Sequence, residues 1–446
     1  MDKNLTPKRF VSKDTGLGFG IVIMIIVHIF THQLAQADPS LFIPVVSQMD
    51  LFLLITLIPL IVMGTWGTSF TMLSCMAITT KVHSMDPKDN KFFLKFILGR
   101  TIGGLLFVGL SRLYHFLFGV DSADYNLRDI GPFKINFNAT TLDSIAIVSV
   151  IIPIIVFFLM KFQTTRRPAV FTGIFIFLAF GNLVASQFFI PWGRSLTTEL
   201  NAQGSYGLEF IISKFVWGRF KVSQTFSFGC LGAFMGYLVS NDISTKKFRN
   251  LILYLLSFCL LIVGIASIVD WTFFLNYANI DTPTIVQVLN LGMEGLVFSW
   301  FILNLDMGSP ERRVKAGKRT IWLRRFGIVS LTLYTICRWF ADQVFWVLEQ
   351  LMGSPLDFTG ASPRLAWTTA QIYLFIGIML CVWMILLKLW EKLHFILSIE
   401  WWINIITVLL RFKKKPNLYI KERIYGPGML ELEKKLEAEI IIFSNN

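Results

Sequence analysis

An all-α, polytopic integral membrane bundle of about ten transmembrane helices, with N- and C-termini cytoplasmic, follows from three properties of the sequence. Of its 446 residues, 54% are hydrophobic and only 15% charged, whereas about 25% are charged in ordinary soluble domains. The apolar residues, with 43 Phe and 13 Trp among them, gather into runs of about 20, the length at which a helix crosses the hydrocarbon with its backbone groups satisfied internally. Lys and Arg collect between alternate runs, as expected for loops retained in the cytoplasm. A soluble enzyme is excluded. The net charge of +13 lies in short clusters rather than on one face of a soluble module, which argues against nucleic acid as a partner.

The runs fall near 17–36, 51–79, 96–118, 141–162, 168–188, 222–240, 250–270, 285–305, 326–350 and 366–388. The first is too long for a signal-peptide core and lacks a small-residue cleavage site, so it is expected to be the first span. With the N-terminus inside, 21 basic residues fall in the N-terminal segment and the inner loops, against about seven outside, including Arg128, Arg194, Arg219 and Arg364. After the tenth run, residues 393–410 are apolar but carry Glu400 beside Trp401 and Trp402. An eleventh crossing would export the basic cluster Arg411, Lys413, Lys414 and Lys415, so an interfacial helix on the cytoplasmic surface is expected instead. Three segments result: a cytoplasmic N-terminus (1–16), a ten-helix transmembrane domain (17–388), and a cytoplasmic interfacial helix with a charged tail (389–446). The tail breaks at Gly426-Pro427-Gly428 before a short solvated helix. Neither an internal repeat nor a pair of matching broken helices is visible, which weighs against a repeat-built transporter.

The five cysteines, Cys75, Cys230, Cys259, Cys337 and Cys381, have no CxxC spacing and lie in or beside apolar runs, so neither a disulfide framework nor a zinc site is indicated. Gly99, Gly103 and Gly104 in the third run, and Gly229, Gly232 and Gly236 in the sixth, mark faces where helices approach closely. No glycine pattern reads as a phosphate loop or a nucleophile elbow. Asn138-Ala139-Thr140 is a glycosylation sequon on the side expected to be outside.

Ionisable groups inside a bilayer cost several kcal/mol unless paired or solvated, so each is a candidate for function. His28 and His32 lie one turn apart in the first run, on one face. Arg112 and His115 neighbour each other in the third, Glu294 stands in the eighth, and Arg338 and Asp342 are four residues apart in the ninth. At about 1.5 Å per residue, His28 lies past the membrane midplane and the others mostly in the outer half, where together they line a polar cavity open to the outside. Each also has a structural reading: an intrahelical pair for Arg338 and Asp342, snorkelling for Arg112. His28 follows the aliphatic stretch Ile21–Val27, where an imidazole without a function is hardest to explain. His28 and His32 would be half of a metal site, but no cluster elsewhere supplies the remaining ligands.

The same stretch resembles a known signature. From Asp14 to His28 the chain is similar to the opening pattern of the transmembrane acyltransferases, the group that includes heparan-alpha-glucosaminide N-acetyltransferase and the sugar O-acyltransferases. Asp14, Gly18, Ile21, Met24 and His28 match Asp-x-x-Arg-Gly-x-x-Ile-x-x-Met-x-x-x-His in register, with Leu17 in the arginine's place. Phe215–Phe220 leading into Gly229–Gly236 resembles the entry to the family's middle helices. Gly327–Tyr334 looks like its Gly-x-x-Ser-Leu-Thr-x-Tyr element, and Ile399-Glu400-Trp401 its Glu-Trp after the last span.

The resemblance extends from about residue 9 to 402. It implies transfer of an acyl group, usually acetyl, from cytoplasmic acyl-CoA to an extracytoplasmic sugar or lipid-linked acceptor, at a cell membrane and with no tightly bound cofactor. His28 then corresponds to the base or acyl carrier, with Glu294 or Asp342 to orient it. His32, Arg112, His115, Arg219 and Arg338 are candidates for contacting substrate, and Lys8, Arg9 or Lys13 for contacting the donor phosphates. Leu17 favours a competing reading, a carrier or lipid transporter that keeps the architecture without the chemistry. A proton-coupled transporter would use the same His, Glu and Asp residues as a relay.

Overall fold

The computed structural model describes residues 10–34, 45, 47–64, 66–118, 127–130, 133–270, 282–359, 364–410 and 420–425. Helices α1 (Val11–His28), α2 (Leu51–Gly64), α3 (Thr68–His83), α4 (Asn90–Phe118), α5 (Thr141–Lys161), α6 (Pro168–Ala202), α7 (Tyr206–Val216) and α8 (Val222–Ser240) make up the first part. The second contains α9 (Thr245–Val269), α10 (Thr284–Leu305), α11 (Pro310–Arg319), α12 (Ile321–Ile328), α13 (Ser330–Met352), α14 (Thr369–Lys392), α15 (Ile399–Leu410) and α16 (Ile420–Tyr425). The chain is not purely helical. Two short antiparallel hairpins, β1 (Leu127–Ile130) with β2 (Phe133–Asn136) and β3 (Leu356–Asp357) with β4 (Arg364–Leu365), stand between helices, with Leu127 opposite Asn136 and Leu356 opposite Leu365.

Among the described residues, eight helices are long and apolar enough to cross a membrane: α1 with the π-helical turn Ile29–Leu34 that continues it, α4, α5, α6, α8, α9, α10 and α14. The architecture is that of a multi-pass helical membrane bundle. Two of the ten expected spans are not single helices. The run at 51–79 divides into α2 and α3 at a turn in which Trp66 N–H donates to the Met63 carbonyl at 2.9 Å. The turn is closely packed: a Cβ on Gly67 would meet the Phe220 ring at 2.4 Å, and the Trp66 indole N–H reaches Asn290 Oδ1 at 3.3 Å. The run at 326–350 is divided at Val329 between α12 and α13. Helix α15, with 12 residues, is about 18 Å long and too short to cross alone.

Two apolar cores meet along α1. One is built from α3, α5, α6, α8, α9 and α10; the other joins the later part of α1 to α2, α12, α13, α14 and α16. Glycines permit the tightest crossings. A Cβ on Gly18 would lie 1.8 Å from the Leu323 carbonyl oxygen, and one on Gly327 1.8 Å from that of Asp14, so α1 and α12 touch backbone to backbone. Gly232 and Gly236 do the same for α8 against Met72 and Met76 of α3, and Gly229 meets Val148. In α4, Gly104 packs on Ala146 while Gly103 faces open space.

Remote carboxylates complete several helix starts, whose first N–H groups have no intrahelical partner. Asp306 accepts from Val11 N at 3.0 Å and Ser12 N at 3.3 Å at the start of α1. Glu400 accepts from Leu331 N at 2.6 Å and Thr332 N at 3.3 Å at the start of α13, and its second oxygen takes the Thr332 hydroxyl at 2.6 Å. The ends gathered there, with Thr245 Oγ1 donating to the Met307 carbonyl at 3.3 Å, Arg325 paired to Glu391 at 2.6 Å, and the Lys- and Arg-rich α11, form one basic face of the bundle.

Candidate functional site

His28 closes α1, and the wider π-helical turn that follows brings His32 beneath it, their ring centroids 5.1 Å apart and nearly perpendicular. Such turns recur at functional sites because they re-aim side chains without ending a helix. Across the α1–α13 seam, Cys337 Sγ lies 3.7 Å from His28 Nδ1. The guanidinium groups of Arg338 and Arg219 are close enough to act electrostatically on the His28 ring. One turn past His28, the buried Gln33 donates through Nε2 to Asp342 Oδ1 at 2.9 Å. His28, His32, Arg219, Arg338 and Asp342, drawn from three parts of the chain, therefore share one neighbourhood.

A second group lies at the start of α5. Asp143, fully buried, pairs with Arg112 and stands 3.3 Å from Lys214 Nζ. It also accepts from Thr140 N at 3.0 Å, while Thr140 Oγ1 takes Asp143 N at 3.3 Å. Lys214 donates to the Phe137 and Asn138 carbonyls at 2.9 and 2.8 Å, holding the segment before α5 in place. Arg112 thus turns into the protein toward a carboxylate rather than out to an interface. Asn138 is 5% exposed, so the sequon is not presented on the surface. Tyr334 joins the two groups: it shares a hydrogen bond with the Thr141 side chain and lies within electrostatic range of Cys337, Asp143 and Arg112.

Glu294 stands apart. It is 0% exposed, and its Oε1 accepts the Thr68 hydroxyl at 2.5 Å at the first residue of α3. Its Oε2 has no hydrogen-bond partner. Its position fits the pattern of carboxylates at helix starts, and no contact joins it to His28. Lys13 sits in the first turn of α1, fifteen residues before His28, about 22 Å along the helix. Lys8 and Arg9 lie outside the described residues. His115 is in α4, but its side chain is also outside them.

Four participants were not singled out from the sequence. Cys337 and Gln33 sit in apolar surroundings with no local motif, and only the packing of α1 on α13 reveals them. Tyr334 belongs to a quoted motif, but its link to Asp143 spans separate helices. Arg324 is, by sequence, one of the basic residues between the eighth and ninth runs, yet it is 0% exposed and within electrostatic range of Asp14 and Asp306. It donates to the Gly317 carbonyl. Asp14 pairs with Arg423 at 3.0 Å, while Leu17 packs against apolar neighbours. Two guanidinium groups from later in the chain therefore flank Asp14, where the acyltransferase pattern has its own arginine three residues on.

Among the described residues, no three His, Cys, Asp or Glu side chains gather into a metal-binding group. All five cysteines are free. No family model, curated protein or solved structure matches this chain.

Proposed function

We propose that the chain is a membrane-embedded acyltransferase that moves an acyl group, acetyl in the simplest case, from acyl-CoA to a hydroxyl or amine of a sugar or lipid-linked acceptor on the opposite side of the membrane. One observation carries this: His28 is held at the seam of two helical cores with a thiol at 3.7 Å and two guanidinium groups in electrostatic range. An imidazole so placed takes the acceptor's proton as its oxygen or nitrogen attacks the acyl carbon. Arg338 and Arg219 stabilise the negative charge that develops on the carbonyl oxygen, the role of an oxyanion hole. Gln33 and Asp342 tie the turn after α1 to α13, the helix that carries Arg338. The register of Asp14, Gly18, Ile21, Met24 and His28 with the transmembrane acyltransferase signature supports the same reading.

In this reading the basic face is cytoplasmic and admits acyl-CoA past Lys13. The α2–α3 and α12–α13 pairs cross as broken spans, giving ten crossings with both termini inside. Helix α15 lies along the inner surface of the cell membrane. Leu17, in place of the signature arginine, supports the competing reading of a non-catalytic carrier.

Sealed proteoliposomes separate the two. Acyl-labelled acyl-CoA is supplied on one side and acceptor glycan on the other. A transferase yields labelled acceptor and free CoA, and His28→Ala lowers both by roughly 10²- to 10⁴-fold. A carrier moves labelled substrate across intact and releases no CoA.

A further inference from the structure

Among the described cysteines, Cys337 differs in its surroundings. Cys75 and Cys230 face each other's helices in the core, Cys259 packs on Gly292, and Cys381 is exposed on α14. Cys337, 2% exposed, is brought within 3.7 Å of an imidazole nitrogen by a helix more than three hundred residues away in sequence. Its alternative partner is the Tyr334 carbonyl of its own helix at 3.8 Å, a bond any helical cysteine can make, and one that does not explain why a histidine ends α1 at this point. A thiol at this distance from an imidazole that can take its proton is the pairing of a sulfur nucleophile with its base, and the Arg338 guanidinium lies within electrostatic range of both.

We infer that Cys337 is the acyl carrier of the reaction, so that transfer proceeds by double displacement through a Cys337 thioester. The inference rests on the transferase reading. In the first half, His28 Nδ1 takes the thiol proton, and the sulfur attacks the carbonyl carbon of acyl-CoA. The new carbon–sulfur bond to Cys337 forms as the bond to the CoA sulfur breaks, and CoA leaves with the proton returned by His28. In the second half, the acceptor hydroxyl or amine gives its proton to His28 and attacks the Cys337 thioester. The sulfur departs and is reprotonated. One thioester is exchanged for another, so the acyl group stays activated and no oxidant, metal or further co-reactant is needed. The donor also need not remain while the acceptor enters from the other side. His28 serves both halves as the proton carrier.

The test incubates purified full-length protein with acetyl-CoA radiolabelled in the acetyl group, without acceptor, and follows bound label and released CoA. The expected result is a single label per chain that neutral hydroxylamine removes, that maps to the Cys337 peptide, and that chases onto acceptor. Cys337→Ala takes up no label and loses turnover, while Cys337→Ser, which preserves volume, takes up at most a hydroxylamine-resistant ester. Melting curves of both variants establish that they are folded. Wild-type turnover with no bound label, label on His28, or Cys337→Ala retaining the wild-type rate overturns the carrier role while leaving the transferase reading intact. A wild-type protein that releases no CoA with acceptor present overturns both.

Discussion

Substituting Gly18 by alanine tests the α1–α12 crossing on which the site depends. The added Cβ would lie 1.8 Å from the Leu323 carbonyl oxygen, whereas ordinary contact begins at 3.4 Å, so the two helices must part by 1.6 Å unless one bends. The obstructing atom is backbone in a neighbouring helix rather than the tip of a flexible side chain. The cost should therefore sit at or above the upper end of overpacking penalties, roughly 3 kcal/mol, which lowers the folded-to-unfolded ratio by roughly a hundredfold. Gly327→Ala strikes the Asp14 carbonyl oxygen at the same distance and should cost about as much. Once the helices have separated, the second substitution costs less, so the double variant should be less destabilised than the sum, with a coupling of roughly 1–3 kcal/mol. Gly103→Ala, which meets nothing within 4 Å, is the control and should stay within about 0.5 kcal/mol of wild type. Unfolding in mixed detergent micelles, followed by tryptophan fluorescence, measures all four. A Gly18→Ala protein as stable as the control, or strictly additive losses in the double variant, would refute the crossing.

Two further outcomes follow from the carboxylates at helix starts. Glu400→Ala removes the acceptor for Leu331 N, Thr332 N and the Thr332 hydroxyl and should cost roughly 2–4 kcal/mol in the same assay; a loss below about 0.5 kcal/mol counts against the cap. Burial pushes the Asp306 carboxyl up to about 6 from 3.8, against the opposing pull of the Ser12 and Val11 donors. Because its folded value lies above its unfolded one, the stability it contributes is fully present below pH ~4 and is lost as pH rises through about 6. The melting temperature of the wild type should fall across that window, and that of Asp306→Asn should not; identical profiles would remove Asp306 as the cause.

Much of the helical bundle was legible in the sequence because crossing a bilayer imposes length and apolarity on each segment separately. The breaks were not. Val329 and the Trp66-Gly67 turn lie in apolar stretches, and the groups that pack on them come from elsewhere: Asn290 and Phe220 at one break, Glu400 just past the other. The quoted motifs proved to be spatial neighbours, with Gly18 against the Gly327 segment and Glu400 capping Leu331 and Thr332. Of the site, the face shared by His28 and His32 was readable from helical spacing, and Arg338 and Asp342 from the rarity of charge in a span. Their partners were not. Spacing places Arg338 and Asp342 on one face of their helix, but it does not give the bond that Asp342 accepts from Gln33 in the turn after α1, nor the bond that Glu294 accepts from Thr68. Such pairings depend on which helices pack together, information that local periodicity does not contain.

The most direct test of the proposed activity is acyl-CoA turnover by wild type and His28→Ala in parallel, with free CoA and acylated acceptor measured from the same reaction. Removing a positioned acid-base group should lower turnover by roughly 10²- to 10⁴-fold while leaving the melting temperature unchanged. A folded His28→Ala protein that acylates acceptor at the wild-type rate would contradict the account.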